Sequence, residues 1–486
     1  MGTTLSQDIA ITDHVVNVAI TRDDPNPTLG PNVTFNVAFP EDVINVDAAD
    51  FVVVTTGSAG GDALVTVNTA TASTYEVTVS NVSRHGTLGL DIARGTDIQN
   101  SVGAPPAQTP TVDEVYDVIN DAHGILSLVT RVPGNVTASV SGLNLAISGD
   151  SGDNGISISA NATGDIIVTG VGGTTINGVA EFVAFPAAGG ALPGNLTAQS
   201  SSGRDLISIA DVIITGDVYV RGGDDLDAID ISHVNAGGRF LVFGDGGSGF
   251  IEVADSKISG YGFFVGATNG ITITITDFLN VLAISGGAGV DSVTLGTVSV
   301  AAATQLSPGG GNNIVTLTDT QHLNTLYITP GDGNDTIVGS NVDVTQMLFI
   351  NTLEGNDIVD FTDLYAMNSA VLFAGTDNDA VRLLNSVFDA YTTLPITAGN
   401  NVIDIQGSTF NGATYQRTTG GALGVRIKSN TFNSAVSLDG GPGATDSLLD
   451  NLTSSFSQAA NLSDFENTSL THIDAVFSNL LNLLFS

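Results

Sequence analysis

Carboxylates at a fixed interval are the first chemistry this chain offers. Asp205, Asp227, Asp291, Asp335, Asp357 and Asp379 fall on one register with a step of 22, shortened once, and Asn313 and Asn401 fill two of its places. A further acid, Asp332, stands three residues before Asp335 in Gly331-Asp332-Gly333-Asn334-Asp335. If such positions stack at the strand spacing of about 4.8 Å, neighbouring carboxylates repel by about 1 kcal/mol in water and several times more beside a low-dielectric wall. Two arrangements relieve that repulsion. A bound cation neutralises the row, or Asn312, Asn334, Asn356, Asn378 and Asn400, also 22 apart, form an amide ladder beside it. The residues leave both open.

Other chemistries are poorly supplied. Polysaccharide lyases and hydrolases need a carboxylate cluster with Lys or Arg on one exposed face, to tune the base and meet the developing anion. The lysines are Lys257 and Lys428, and only Arg382, Arg417 and Arg426 near the C-terminal coils offer a basic patch. Two carboxylates alone serve an inverting glycosidase, yet every acidic pair here is repeated, whereas a catalytic site interrupts a repeat. The histidines His14, His85, His123, His233, His322 and His472 share no metal-ligand spacing, and there is no phosphate-binding Walker loop or GxSxG. The expectation is a protein that is not an enzyme. With 50 acidic residues against 12 basic ones, a net charge of −38 also argues against nucleic acid, which needs a basic footprint. Cysteine is absent, which excludes disulfides and thiol chemistry. No run of about 18 apolar residues spans a membrane as a helix. The start, MGTTLSQDIA, has no basic segment followed by an apolar one, so the expectation is a removed signal or export without one.

The elements that position the acids follow from a column two residues further on. Ile207, Ile229 and Ile251, then Ile271, Val293, Val315, Ile337, Val359, Val381, Ile403 and Val425 recur at 22, except for one step of 20 between Ile251 and Ile271. A fixed period in the range of about 20–50 residues marks a solenoid whose coils bury one another's apolar faces. A bend column runs through Asp211, His233, Asp255 and Asp277, then Asp319, Asn341, Asp363, Asn385, Gly407, Ser429 and Asn451, residue types tolerant of left-handed backbone. Between the columns the chain alternates, as in Ile314-Val315-Thr316-Leu317-Thr318. Third short strands follow, such as Val218-Tyr219-Val220 and Leu326-Tyr327-Ile328. Three strands per coil predict a parallel β-helix over 201–452, a rod of roughly 55 Å at the strand rise. Residues 113–200 read as its N-terminal cap and entry coils. Residues 453–486 read as a C-terminal cap, with Thr471 opening an amphipathic helix on Val476, Phe477, Leu480, Leu481 and Leu484.

Residues 1–112 alternate differently, as in Val33 to Phe39, Tyr75 to Val79 and Leu88 to Ile92, and predict a β-sandwich. Phe35 to Val53, FNVAFPEDVINVDAADFVV, resembles bacterial immunoglobulin-like modules, which implies a spacer or adhesive bead. Gly331 to Ile337 resembles the calcium-binding nonapeptide of secreted RTX proteins, with relatives ending at Asp227, Asp291 and Asp357. That resemblance implies calcium at Asp227, Asp291, Asp332, Asp335, Asp357 and Asp379, since calcium takes oxygens from carboxylates and turn carbonyls. RTX turns come twice per coil, however, and these come once per 22 residues.

The whole chain resembles all-β bacterial surface proteins that join an immunoglobulin-like sandwich to a glycine- and aspartate-rich β-helix. The expected function is a non-enzymatic extracellular structural or adhesive protein, such as a self-assembling surface-layer, matrix or filament subunit. The alternative is a β-helix that binds or cleaves carbohydrate. The expected partners are further copies of the chain, joined through Ile9 to Ile20 and through Phe477, Leu480 and Leu484, and a cell-surface polysaccharide.

Overall fold

The computed structural model describes residues 15–24, 32–57, 64–82, 84–120, 132–161, 163–186, 188–245, 249–266, 270–442, 446–450 and 453–466. The helix expected from Thr471 onward, and most of the start to Ile20, lie outside these residues.

The N-terminal unit has two principal sheets. One runs in the order Leu64–Thr71, Thr74–Ser80, Asn32–Ala38, Ala19–Arg22 and Val112–Asp113, and the other in the order Tyr116–Asn120, Arg84–Ile92 and Phe51–Gly57. Alternation places Val33, Phe35, Val37, Val77 and Val79 of one with Leu88, Leu90 and Val118 of the other in a single apolar cluster. Tyr116 crosses it. Its ring meets Phe35 edge-on at 5.0 Å, its hydroxyl accepts from the N–H groups of Asp23 and Asp24 at 3.0 and 2.8 Å, and it donates to the Thr34 carbonyl. The Asp47–Asp50 segment is a capped 3-10 turn. Asp47 accepts from Ala49 N–H, and Asp50 reaches back to Asp47 N–H while accepting from the Thr96 hydroxyl. The unit runs past the proline-rich stretch to Asn120.

A parallel β-solenoid of about 12 turns follows, at about 22 residues per turn. Antiparallel pieces cover its first coils: the hairpin Asn135–Ser141 with Asn144–Ser148, and the meander Gly155–Ala160, Ile166–Gly170 and Glu181–Phe185. An exposed end of a stacked sheet offers unpaired backbone groups, and these pieces occupy them. Each coil then has strands like Leu206–Ala210, Ile213–Ile214 and Val218–Arg221. The first two kinds join into one 25-stranded sheet, and the third builds a 16-stranded one. The stacking persists to Ser455–Phe456 and Asn461–Ser463, which pair with Thr431–Phe432 and Val436–Asp439.

The apolar column points inward, and every member from Ile207 to Val425 is at most 2% exposed. The bend column does what its residue types suggest. Asp211, His233, Asp255, Asp319, Asn341, Asp363, Asn385 and Ser429 have φ between 47° and 56°, and Gly407 has 63°. One expected member is displaced. The step of 20 falls in the turn before Gly270–Thr274, so the bend arrives two residues early, on Ile275 at φ 46°, and Asp277 opens the next short strand. Inward positions of the second strands hold Phe388, Phe410, Phe432 and Phe456, stacked at 4.8, 5.0 and 5.0 Å with planes within 14°.

Candidate functional site

The turn that carries the acids lies between the third strand of one coil and the first of the next. Its glycines answer to stacking. Gly331 and Gly333 have φ of 110° and 132°, a region closed to residues with a Cβ, and a methyl on either would run into the carbonyl of Gly309 or Gly311 one coil away. Turn-to-turn hydrogen bonds run at the same place, Gly311 N–H to Asp332 carbonyl at 2.9 Å and Gly333 N–H to Glu354 carbonyl at 2.7 Å.

From this turn the column residue points inward. Asp205, Asp227, Asp291, Asn313, Asp335, Asp357, Asp379 and Asn401 are all at most 2% exposed. All but Asp291 give a side-chain oxygen to the backbone N–H of the residue at the same place in the preceding coil, while Asp291 Oδ2 accepts from Gly287 N–H in its own turn. The bonds run from Asp205 N–H to Asp227 (3.0 Å), Asp291 to Asn313 (2.9 Å), Asn313 to Asp335 (2.7 Å), Asp335 to Asp357 (2.8 Å), Asp357 to Asp379 (3.1 Å) and Asp379 to Asn401 (2.7 Å). The series extends at both ends, with Asn154 N–H donating to Asp205 at 2.6 Å and Leu423 N–H to Asp446 at 2.7 Å. In these coils the turn leaves one N–H inside without a strand partner, and the next coil's side chain satisfies it. A net contribution of about 1 kcal/mol per bond is typical, and leaving the N–H orphaned costs more than the bond gains.

Five of the six acids expected at a metal, Asp227, Asp291, Asp335, Asp357 and Asp379, therefore lie on this inner column. Asp332 does not. Its side chain is exposed on the outer rim of the turn. Beside it runs the amide ladder: Asn334, Asn356, Asn378 and Asn400 each donate a backbone N–H to the side-chain oxygen of the asparagine before, at 2.8–3.0 Å. Among the described residues, no three or more Asp, Glu or His side chains gather in a way that holds a metal ion.

Burial acts strongly on the column. It pushes Asp205 and Asp357 up to about 6, Asp335 up to about 7, and Asp227 and Asp379 up to about 8, against the pull of the N–H bonds they accept. Carboxylates nearby push the same way: Asp205, Asp225 and Asp245 on Asp227, and Asp357 and Asp377 on Asp379. Burial also raises Asp291, whose Oδ2 accepts from Gly287 N–H at 2.9 Å. In Asp227, Asp335, Asp357 and Asp379 one oxygen, Oδ2, is buried with no hydrogen-bond partner.

Two arrangements escaped the sequence reading. Asp360, Arg382, Asp404 and Arg426 alternate in charge at the same step of 22, on directly paired positions of successive first strands. Arg382 donates from Nε and Nη2 to the two carboxylate oxygens of Asp360, and Arg426 grips Asp404 likewise. Two of the three arginines of the supposed basic patch are thus consumed in half-buried pairs, and the third, Arg417, stands 4.0 Å from Asp439. The 22-residue spacing was the available signal, hidden because it joins opposite charges. His322 is the second case. It replaces an apolar residue between Val300 and Val344, is fully buried, and shares a 2.8 Å bond between Nδ1 and the Thr304 hydroxyl. Burial holds its pKa down to about 3, so the ring is neutral.

One surface region combines aromatic and polar groups. On the outer face of the third-strand sheet, Tyr219, Phe243, Phe263 and Tyr261 make successive ring contacts at 5.4, 6.0 and 5.9 Å. Beside them a groove is lined by Gln199, Ser201, Arg221, Asp224 and Asp245, with Arg221 Nε donating to Asp245 at 2.6 Å. No protein-family model, curated protein or solved structure matches this chain.

Proposed function

We propose that this protein is a non-enzymatic extracellular rod, a structural or adhesive component of a cell surface, matrix or filament. The observation that carries the reading is the fate of the repeated acids. The residues that most resembled a reactive or ion-binding row are turned inward and engaged, coil after coil, in holding one turn to the next. A repeat that engages its polar groups in this way builds stiffness and length, the properties of a spacer. The N-terminal sheets fit the role of a bead carried at the rod's end, and the Phe35–Val53 resemblance supports an immunoglobulin-like module there. The acidic, glycine-rich composition and that resemblance support an extracellular location. Further copies of the chain and a surface polysaccharide are the proposed partners.

Antibody labelling of intact cells, paired with adhesion or matrix assays on a strain lacking the protein, tests this reading. Labelling that requires lysis, or release of reducing sugar or unsaturated product from polysaccharides by the purified chain, would sink it.

A second reading, carbohydrate binding without cleavage, is favoured by the aromatic face at Tyr219, Phe243, Tyr261 and Phe263 beside a polar groove. Aromatic faces and nearby hydrogen-bonding groups are the two things a sugar ring needs. Retention on immobilised neutral glycans that disappears in Phe243→Ala would establish it, and equal retention of both proteins would remove it.

A further inference from the structure

At Asn313 the side-chain amide Nδ2 donates to three backbone carbonyls, those of Gly309 (3.0 Å), Gly311 (3.1 Å) and Pro330 (3.0 Å). At Asn154 the same atom donates to the carbonyls of Asp150 (3.1 Å) and Gly152 (2.8 Å). The inner corner of the turn is therefore an acceptor-lined site that calls for a donor.

The strand register carries this corner forward by one coil at a time. Ile314 pairs with Thr336 and Thr336 with Ile358, so Asp335 and Asp357 occupy the place of Asn313. The corresponding carbonyls belong to Gly331, Gly333 and Thr352, then to Leu353, Gly355 and Ala374. Aspartate has no amide there. Its Oδ1 accepts the N–H of the preceding coil, as asparagine's does, which leaves Oδ2 as the atom corresponding to Nδ2. An ionised carboxylate only accepts, and so does a carbonyl. The contact is repulsive unless a positive charge or a hydrogen lies between them, and this is why Oδ2 of Asp227, Asp335, Asp357 and Asp379 has no partner though each residue is at least 99% buried.

We infer that Asp227, Asp335, Asp357 and Asp379 are neutral carboxylic acids in the folded protein at mildly acidic pH. Each is a proton-binding site whose Oδ2–H donates to the turn carbonyls in place of an asparagine amide, and the rod is locked by these protons and loosens as they leave. The charged groups facing the sites from the packed turns are carboxylates: Asp205, Asp225 and Asp245 at Asp227, Asp332 and Asp357 at Asp335, Asp335, Asp377 and Asp379 at Asp357, and Asp357 and Asp377 at Asp379. The raised affinities for protons agree in direction with the geometry. The sign follows directly. The folded state holds protons that the unfolded chain releases above about pH 4, so this stabilisation is complete below the unfolded pKa. It is lost as pH rises through the folded values of about 6 to about 8.

The test compares the full chain with the triple variant Asp335→Asn, Asp357→Asn, Asp379→Asn, which supplies at each site the amide already present at Asn313. Denaturant-induced unfolding in weakly buffered solution at about pH 6.5 should release about two more protons from the wild type than from the variant. Between about pH 5.5 and about pH 8.5 the wild-type melting temperature should fall markedly, and the variant should fall by less than half as much. Millimolar calcium and EDTA should give the same melting temperature for each protein. Equal proton release and equal pH slopes would overturn the inference. So would a calcium-dependent rise at alkaline pH present in the wild type and absent in the variant, because the positive charge at Oδ2 would then be a metal ion.

Discussion

Gly355 separates the two explanations of the glycine-rich turn, as a cradle for an ion or as the only residue that lets coils stack this closely. Its φ is 129°, a conformation that side chains reject, and a methyl on it would stand 2.5 Å from the Gly333 carbonyl carbon and nearer still to its oxygen. Carbon atoms in contact sit about 3.5–4.0 Å apart, so the coils would have to part by about 1 Å at this turn. The obstacle is backbone, which has no rotamer to move. Backbone strain of about 1–3 kcal/mol at such a φ adds to the disruption of the Gly333 N–H bond to Glu354 at 2.7 Å, which crosses the same turn. We expect Gly355→Ala to cost about 3–5 kcal/mol in urea unfolding, with or without calcium. Gly420 is the internal control: its φ is not in the left-handed region and a methyl there meets nothing within 4 Å. Gly420→Ala should be neutral or stabilise by up to about 1 kcal/mol, through the unfolded chain. Native-state hydrogen exchange should place the loss in the coils of Thr336–Val344 and Ile358–Ala366. Gly355→Ala with a wild-type urea midpoint would refute the stacking argument.

Three further outcomes follow from the same geometry. Phe410→Ala removes the ring between Phe388 and Phe432, at 4.8 and 5.0 Å, and should cost about 3–5 kcal/mol by denaturant titration, whereas an unexposed ladder of no energetic weight would leave the midpoint unmoved. Ile275→Asn should stabilise by about 1 kcal/mol, since a β-branched residue at φ 46°, 58% exposed, gives up strain there and little burial; a fall in melting temperature would refute the strain argument. His322, held near 3 when folded and near 6.5 when unfolded, favours the unfolded state as pH falls between those values. Acid should therefore cost about 1.4 kcal/mol per pH unit below the unfolded pKa, and His322→Val, matching Val300 and Val344, should flatten the acid limb of the stability curve.

The period was legible because stacking enforces it. A residue that must lie over its counterpart in the next coil cannot drift, so Ile207 through Val425 announced the solenoid, and the bends at Asp211 and Asn341 announced the kink between strands. Where the period slipped, the reading slipped with it. The two residues missing before Gly270–Thr274 moved the bend to Ile275, and the turn-like residue Asp277 stood nearby to take the blame. Which way a turn residue faces was harder to see, because aspartate in a glycine-rich turn is a common signature of solvent and of calcium alike. The available sign was asparagine in the same column. Asn313 exchanges with Asp335 and Asp357 at one register position, a change that removes the charge and keeps the oxygen that accepts the neighbouring N–H. An amide is a close substitute for a carboxyl group that accepts through one oxygen and carries a hydrogen on the other. A column that alternates Asp with Asn at a solenoid's turn is therefore compatible with an inward hydrogen-bonded ladder. On that reasoning the exposed ladder Asn312 to Asn400 and the buried row Asp335 to Asp379 are one device. Two adjacent residues per coil, one facing solvent and one facing the core, each satisfy a backbone N–H of the neighbouring coil, so the turn is bonded on both of its sides.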